Sequence, residues 1–248
     1  MITATFQEGS FRDRVALVSG GTSGIGAAIA GALATLGAQV TVTGATAEEA
    51  AAASERCGLW WEGAIPLDVR DAAAIAKYFG SLAKLDILIN CAGIIRRADE
   101  HDPRVFAEVL DVNLTGTMRL CAAARPLLAK TRGCIVNTAS VLSYVGGALV
   151  PGYSASKGGV AQLTKSLAIA YAPDSIRVNA VAPGWIATPL TQPVRDDPVR
   201  SDAIVARTPL GRWGTPNDLA GAAVFLCSPA ASFISGAILA VDGGYLAM

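Results

Sequence analysis

Histidine is almost missing from this chain: His101 is the single one. That scarcity excludes a multi-histidine metal site and leaves little room for a histidine-based triad. No metal is expected, and His101 reads as a surface loop residue. Charge is scarce too, at 16% of residues, with 20 basic and 20 acidic side chains cancelling. A neutral chain gives no support for binding nucleic acid or a membrane surface. No apolar run approaches the ~18 residues of a membrane span. The opening stretch MITATFQEGSF has no basic segment followed by an apolar one, so no secretory leader is read there. The cysteines (Cys57, Cys91, Cys121, Cys134, Cys227) are scattered and odd in number. They read as reduced core residues of a cytoplasmic protein, not as a disulfide framework.

What is plentiful is apolar. Hydrophobic residues make up 52% of 248 positions, enough to bury a sizeable core. So little charge cannot coat a large surface, and part of the apolar surface is expected to be covered by partner subunits.

Short apolar runs alternate with helical spacing along the whole chain. RVALVSG, QVTVTG, GAIPLDV, LDILINCAG, GCIVNTAS, IRVNAVAPG and GAILAVDGG read as strands. Helices are expected between them, including one opened by Asp71 as a cap, a long one from about 103 to 130, and another from about 152 to 171. The strands are continuous apolar runs, the mark of a parallel sheet covered on both faces. No linker or repeat divides positions 1–248. The expected fold is one α/β domain with a doubly wound, Rossmann-type parallel sheet of about seven strands and helices on both faces.

Between the first strand and the first helix lies SGGTSGIG, Ser19 to Gly26. Gly20, Gly24 and Gly26 let the backbone turn sharply and let a ligand approach closely. The free amides of the helix start then face an anion such as a pyrophosphate. A glycine-rich turn can also serve strand–helix packing alone. Here it follows a strand, opens a helix and lies in the first βαβ unit, the context a dinucleotide cradle requires.

In the second half, YSASK places Tyr153 and Lys157 four residues apart on one expected helix face, and NTASV supplies Ser140. Taken singly these are ordinary: a wet phenol, a solvated charge, a helix cap. Behind a dinucleotide cradle they form a proton-exchange set. A free tyrosine, with a pKa of ~10, is too weak a base near neutrality. A neighbouring ammonium, aided by an oxidised nicotinamide's charge, is expected to lower it.

The spacing Gly-x-x-x-Gly-x-Gly resembles the short-chain dehydrogenase/reductase family, whose usual threonine before the first glycine is Ser19 here. LDV supplies Asp68, NCAG matches Asn-Asn-Ala-Gly with Cys91 as the departure, DVNLTG supplies Asn113, and APG ends at Gly184. The resemblance covers the whole chain. It implies a catalytic set of Asn113, Ser140, Tyr153 and Lys157, with Asn113 holding a water that relays protons from Lys157. It implies dinucleotide contacts from Ser19, Gly20, Thr22, Ser23, Gly24, Ile25 and Gly26 in the cradle. Asp68 and Val69 follow the third strand, where the family's aspartate meets the adenine. Asn90, Ala92 and Gly93 follow the fourth. Tyr153, Lys157, Pro183, Gly184, Ile186 and Thr188 complete the nicotinamide side. Family members are often tetramers built through two long helices and the carboxyl-terminal strand, so a homotetramer is implied.

After the second strand, where an acid or a base usually sets the cofactor, stand Gly44 and Ala45. Ser23 takes the place of a cation in the glycine turn, and Glu48 and Glu49 repel a 2′-phosphate. NAD(H) is favoured; hydroxyls at Thr43 or Thr46 leave NADP(H) open. For the substrate, Arg96 and Arg97 follow the fourth strand on the ligand-binding edge, and an arginine fork matches a carboxylate. With GRWG, LSYVGG and the ending VDGGYLAM, the chain resembles the family's sugar-acid branch, the 2-keto-3-deoxygluconate (2-deoxy-gluconate) and gluconate dehydrogenases. That implies a substrate met by Arg96, Ser140, Leu142, Tyr153 and Trp185 under a mobile lid at about 185–210. Arg195, Arg200 and Arg207 in that segment are either helpers or solvated. Reduction of a 3-oxoacyl thioester by NADPH is the enzymatic alternative, and a non-catalytic dinucleotide sensor the alternative of another class. Trp60 and Trp61 are expected only to pack on a surface or a subunit.

Overall fold

The computed structural model describes residues 2–57 and 63–248. Trp60 and Trp61 lie outside the described residues. Seven strands form one sheet: β1 Val15–Ser19, β2 Gln39–Gly44, β3 Gly63–Pro66, β4 Ile87–Asn90, β5 Cys134–Thr138, β6 Arg177–Pro183 and β7 Ile238–Val241. All neighbours are parallel, in the order β3-β2-β1-β4-β5-β6-β7. Side chains along a strand point alternately to opposite faces, and here both faces are buried. Ala16 and Val18 of β1 enter one core, and Leu17 between them enters the other. Ile87 and Ile89 of β4 do the same around Leu88. Two dry faces explain why the strands read as unbroken apolar runs.

The helices divide accordingly. α1 (Gly24–Thr35) supplies Ile29 and Leu33 to the first core. α2 (Ala47–Cys57) lies against β2 and β3. α3 (Ala72–Ser81) starts at the cap Asp71, which accepts from Ala74 N at 2.9 Å, and gives Ile75 and Phe79 to the second core. The expected helix from 103 to 130 is α4 (Pro103–Leu110) and α5 (Gly116–Thr131), joined by a π turn over Asp111–Thr115. Such turns are often found at functional sites, and this one carries Asn113. α6 (Pro151–Ala170) matches the second long helix. The proline-broken segment folds into a 3-10 turn at Pro189–Thr191, then α7 (Gln192–Arg195) and α8 (Pro198–Arg207). α9 (Pro216–Cys227) packs beside α1 in the first core.

From β3 the chain crosses over β1 to enter β4 on its other side. The connections therefore diverge between β1 and β4, and a crevice opens at their carboxyl ends. Among the described residues no helix is long and apolar enough to cross a membrane. His101 is exposed but sits in a 3-10 turn, its Nε2 3.0 Å from the Ala148 carbonyl oxygen. Cys91, Cys121, Cys134 and Cys227 are free thiols, three of them buried.

Candidate active site

The crevice holds about 900 Å³. Its floor is the turn after β1. Gly20 has φ +67°, and a Cβ there would stand 2.5 Å from Ala92 N. Gly24 has φ +55°, with Thr188 Cγ2 3.3 Å from its Cβ position, and a Cβ on Gly26 would collide with the Gly20 carbonyl. These glycines let the turn pack against its neighbours more closely than any side chain would allow. Two further features fit a bound anion. Ser23 at the N-cap of α1 makes no side-chain cap bond, so it leaves the helix's first amides unclaimed by that hydroxyl. Ser19 lines the crevice, and its buried hydroxyl has no hydrogen-bond partner among the described residues. The residues present fit a dinucleotide pyrophosphate.

Most of the expected contacts do line this crevice: Ser19, Gly20, Thr22, Ser23, Gly24, Ile25, Gly26, Asp68, Val69, Ala92, Gly93, Pro183, Gly184, Ile186 and Thr188. Asn90 does not. Its amide is buried in the core, donating to Asn137 Oδ1 at 2.8 Å and to Cys121 Sγ at 3.3 Å, and Cys91 takes the wall position instead. At the end formed by Gly44, Ala45, Glu48 and Glu49, Ala45 N donates to Glu49 Oε2 at 2.7 Å. Arg70 lines that end too, bound to Asp68 at 2.6 Å, and this partner holds the Asp68 carboxyl below its usual range.

At the other end Ser140, Tyr153 and Lys157 meet. Ser140 follows β5 and caps a 3-10 turn, its Oγ accepting from Leu142 N at 3.1 Å. Lys157 is buried and donates to the Thr138 carbonyl at 2.7 Å. Burial holds its ammonium down to about 8, with Cys91 opposing. For Tyr153 the expected lowering counts on an oxidised nicotinamide's charge, and the protein alone acts the other way. Burial pushes its phenol up to about 12; the Ser140 hydroxyl works against this and the Glu100 carboxylate adds to it. Desolvation outweighs any help from Lys157, whose ammonium is turned toward Thr138.

Asn113 is fully buried on the π turn. Its Oδ1 accepts from Ile94 N at 2.8 Å, and its Nδ2 donates to Ile94 O and Ser156 Oγ, both at 3.0 Å. The side chain expected to hold a relay water is thus bonded to protein on both sides, within reach of the space where Lys157 and Gly93 approach.

The substrate contacts are split. Arg96 lines the crevice but pairs with Glu108 at 3.3 Å. Arg97 is half-buried and in no ion pair among the described residues. Burial, then the nearby charge of Arg200 on α8, disfavours its cation. Leu142 and Trp185 lie outside the main crevice, and neither Arg97 nor Arg200 is among the residues that line it. Trp185 packs edge-on to Trp213 at 5.7 Å, beside a separate cavity of about 160 Å³. Sequence reasoning missed Thr138, Leu190, Thr191 and Glu100. Thr138 ends β5 on the carboxyl edge, so counting to strand ends would have found it.

Together these groups can hold a dinucleotide, seat a hydroxyl or carbonyl near Ser140, and exchange a proton through Tyr153. Comparison with known proteins agrees. A short-chain dehydrogenase family model, described as enoyl-(acyl carrier protein) reductase, matches residues 20–246. The chain is 44% identical to a 2-dehydro-3-deoxy-D-gluconate 5-dehydrogenase of Bacillus subtilis over 96% of each protein. It is also 44% identical to a cis-4-hydroxycyclohexanecarboxylate dehydrogenase of Sinomonas cyclohexanicum, covering 96% of this chain and 99% of that one. A crystal structure of a gluconate 5-dehydrogenase from Burkholderia cenocepacia, in complex with NADP and tartrate, superposes with a TM-score of 0.89. It is 35% identical and covers 97% of this chain and 98% of that one.

Proposed function

This chain belongs to the short-chain dehydrogenase/reductase family, and on that premise we propose that its substrate is the secondary alcohol, or the matching ketone, of a sugar acid. It is an NAD(P)-dependent oxidoreductase acting on CH–OH groups. The observation that carries the reading is the meeting of Ser140, Tyr153 and Lys157 at one end of a crevice whose other end is a glycine cradle. The curated relatives named above act, by name, on hydroxy acids.

The dinucleotide, when bound, accepts or delivers the hydride. The chain does the rest. The amides of the α1 start and the turn at Gly20 hold the pyrophosphate, and Ser19 offers its unpartnered hydroxyl. Ser140 hydrogen-bonds the substrate oxygen and fixes its position. Tyr153 takes the hydroxyl proton in oxidation and returns it in reduction. Lys157, cationic below about 8, favours the phenolate once a second positive charge joins it. Asn113 holds the loop at Ile94 that walls this end.

The substrate carboxylate is met by Arg97 with Arg200 from the lid helix, while Arg96 stays with Glu108 on α4. NAD(H) is the preferred dinucleotide: Glu48 and Glu49 line the adenosine end, and Arg70 there is engaged by Asp68. The Burkholderia protein, by contrast, is a complex with NADP. The protein is a homotetramer, a reading supported by the exposed Leu239 on edge strand β7 and by exposed Ile169 and Phe233.

The test is absorbance at 340 nm with NAD⁺ or NADP⁺ and a panel of sugar acids and 3-oxoacyl thioesters. Turnover of a sugar acid with a higher kcat/KM for NAD⁺ is expected. Turnover of thioesters alone would overturn the substrate assignment. Sedimentation showing only a monomer at micromolar concentration would remove the tetramer.

A further inference from the structure

α6 begins without a usual cap. Its N-cap is Val150, which has no side-chain acceptor, and Pro151 and Gly152 precede Tyr153 in the first turn. The amides of a helix start need partners when buried. Here the partner comes from another segment. Glu100 is 1% exposed, and its Oε2 accepts from Tyr153 N at 2.7 Å. Its Oε1 accepts from Arg96 N at 2.8 Å. One buried carboxylate thus joins the amide of the residue that carries the phenol to the loop that carries Arg96 and Arg97. The position also suits a negative charge, at the positive end of a 20-residue helix.

The join closes a circuit. Ile94 is held by Asn113, Asn113 donates to Ser156 Oγ, and Ser156 Oγ donates to Tyr153 O at 2.7 Å. Tyr153 is therefore held by its N–H through Glu100 and by its C=O through Ser156. The loop itself is drawn tight: Ala98 has φ +70° and its N–H donates to Leu149 O at 2.8 Å. Gly152 leaves the room, since a Cβ there would come within 3.3 Å of Glu100 Oε2.

We propose that Glu100 is a positioning residue that fixes Tyr153 in register with the substrate loop at Arg96 and Arg97, so that proton exchange and substrate seating depend on one carboxylate. The proposal rests on the reading of Tyr153 as the proton-exchanging group. Glu100→Gln keeps the shape but turns one acceptor into a donor, so one of the two amides loses its partner.

The test compares the parent, Glu100→Gln, Gly152→Ala and Asp102→Ala, the last removing a cap from α4 to show what lost stability alone does. Kinetics with the sugar acid, dinucleotide Kd and amide hydrogen exchange are measured well below each melting temperature. Glu100→Gln is expected to lower kcat/KM by about ten- to a hundredfold, with the dinucleotide Kd within about twofold. Exchange should quicken at the amides of Arg96 and Tyr153. Gly152→Ala should show the same pattern more weakly, and Asp102→Ala neither effect. Parental kinetics in folded Glu100→Gln, or unchanged exchange at both amides, would overturn the proposal. So would a Glu100→Gln chain that cannot fold beside a Gly152→Ala chain with parental kinetics, since both would assign Glu100 to stability. If the parent turns over no alcohol, the functional reading falls, while the exchange data still decide the anchoring.

Discussion

The Lys157 ammonium lies 5.5 Å from the centroid of the Tyr153 ring, yet its hydrogen bond goes to the Thr138 carbonyl at 2.7 Å. The pair shares a helix face as i and i+4, but the cation is placed beside the phenol and does not bond to it. Burial therefore governs both groups in the protein by itself, pushing the phenol up to about 12 and holding the ammonium down to about 8. Removing the phenol removes the proton exchange and leaves the cradle intact. Tyr153→Phe is expected to lower kcat by about 10³-fold, with the NADH Kd measured by fluorescence within about twofold of the parent. A variant that turned over as fast as the parent would exclude Tyr153 as the acid–base group.

Lys157 should also weaken the fold it serves. Its folded pKa, about 8, lies below its ordinary 10.5. The charged form is thus disfavoured in the folded state. The penalty is full below about pH 8 and fades as pH rises toward 10.5, where the unfolded chain also loses the proton. It amounts to about 3 kcal/mol. Lys157→Met removes it but strands the Thr138 carbonyl, which costs about 1–2 kcal/mol. The melting temperature at pH 7 should rise by roughly 3–6 °C, and the gain should shrink to nothing or reverse by pH 10. A melting difference that does not vary with pH would contradict this account.

Strand positions, helix order and the glycine turn were legible because they follow from short-range rules. QVTVTG is β2 residue for residue, and Asp71 is the cap the spacing predicts. Ser140, Tyr153 and Lys157 were legible because one motif order demands them together. What could not be read was direction. Adjacent arginines look alike in sequence, but Arg96 pairs with Glu108 while Arg97 feels the charge of Arg200. Asn90 sits on a strand whose neighbouring residues face opposite sides, and one residue decides between crevice and core. Nor does a sequence show desolvation, which in the protein alone pushes the Tyr153 phenol up, against the lowering expected beside an oxidised nicotinamide.

The cradle makes a prediction that needs no substrate. Gly20 combines φ +67° with a Cβ position 2.5 Å from Ala92 N, both of them backbone constraints. Gly20→Ala must shift the β1–α1 turn or the β4 end. A stability loss of about 2 kcal/mol or more is expected, together with a dinucleotide Kd raised at least about tenfold. Calorimetry on the folded fraction would separate the two. Parental affinity in the folded variant would mean that the turn does not touch the dinucleotide.

The arginines after β4 offer a test of the proposed substrate end. Arg96 is 44% exposed in its side chain and bound to Glu108, so a carboxylate would have to displace that partner. Arg97 is half-buried, is in no ion pair among the described residues and feels a second cation from Arg200. Two guanidinium groups held near each other repel, and an incoming carboxylate relieves that repulsion while gaining charge-assisted hydrogen bonds. Truncating Arg97 should therefore weaken the sugar acid and spare the dinucleotide. Arg97→Met is expected to raise KM for the acid by about ten- to a hundredfold, and Arg200→Met by less, because it stands on α8, in the segment proposed as a lid. Arg96→Met should change KM by no more than about threefold, the scale of a surface pair. With a substrate analogue lacking the carboxylate, parent and Arg97→Met should become alike. If Arg96→Met alone carried the KM effect, the carboxylate would lie toward α4, and Arg97 would be a structural cation.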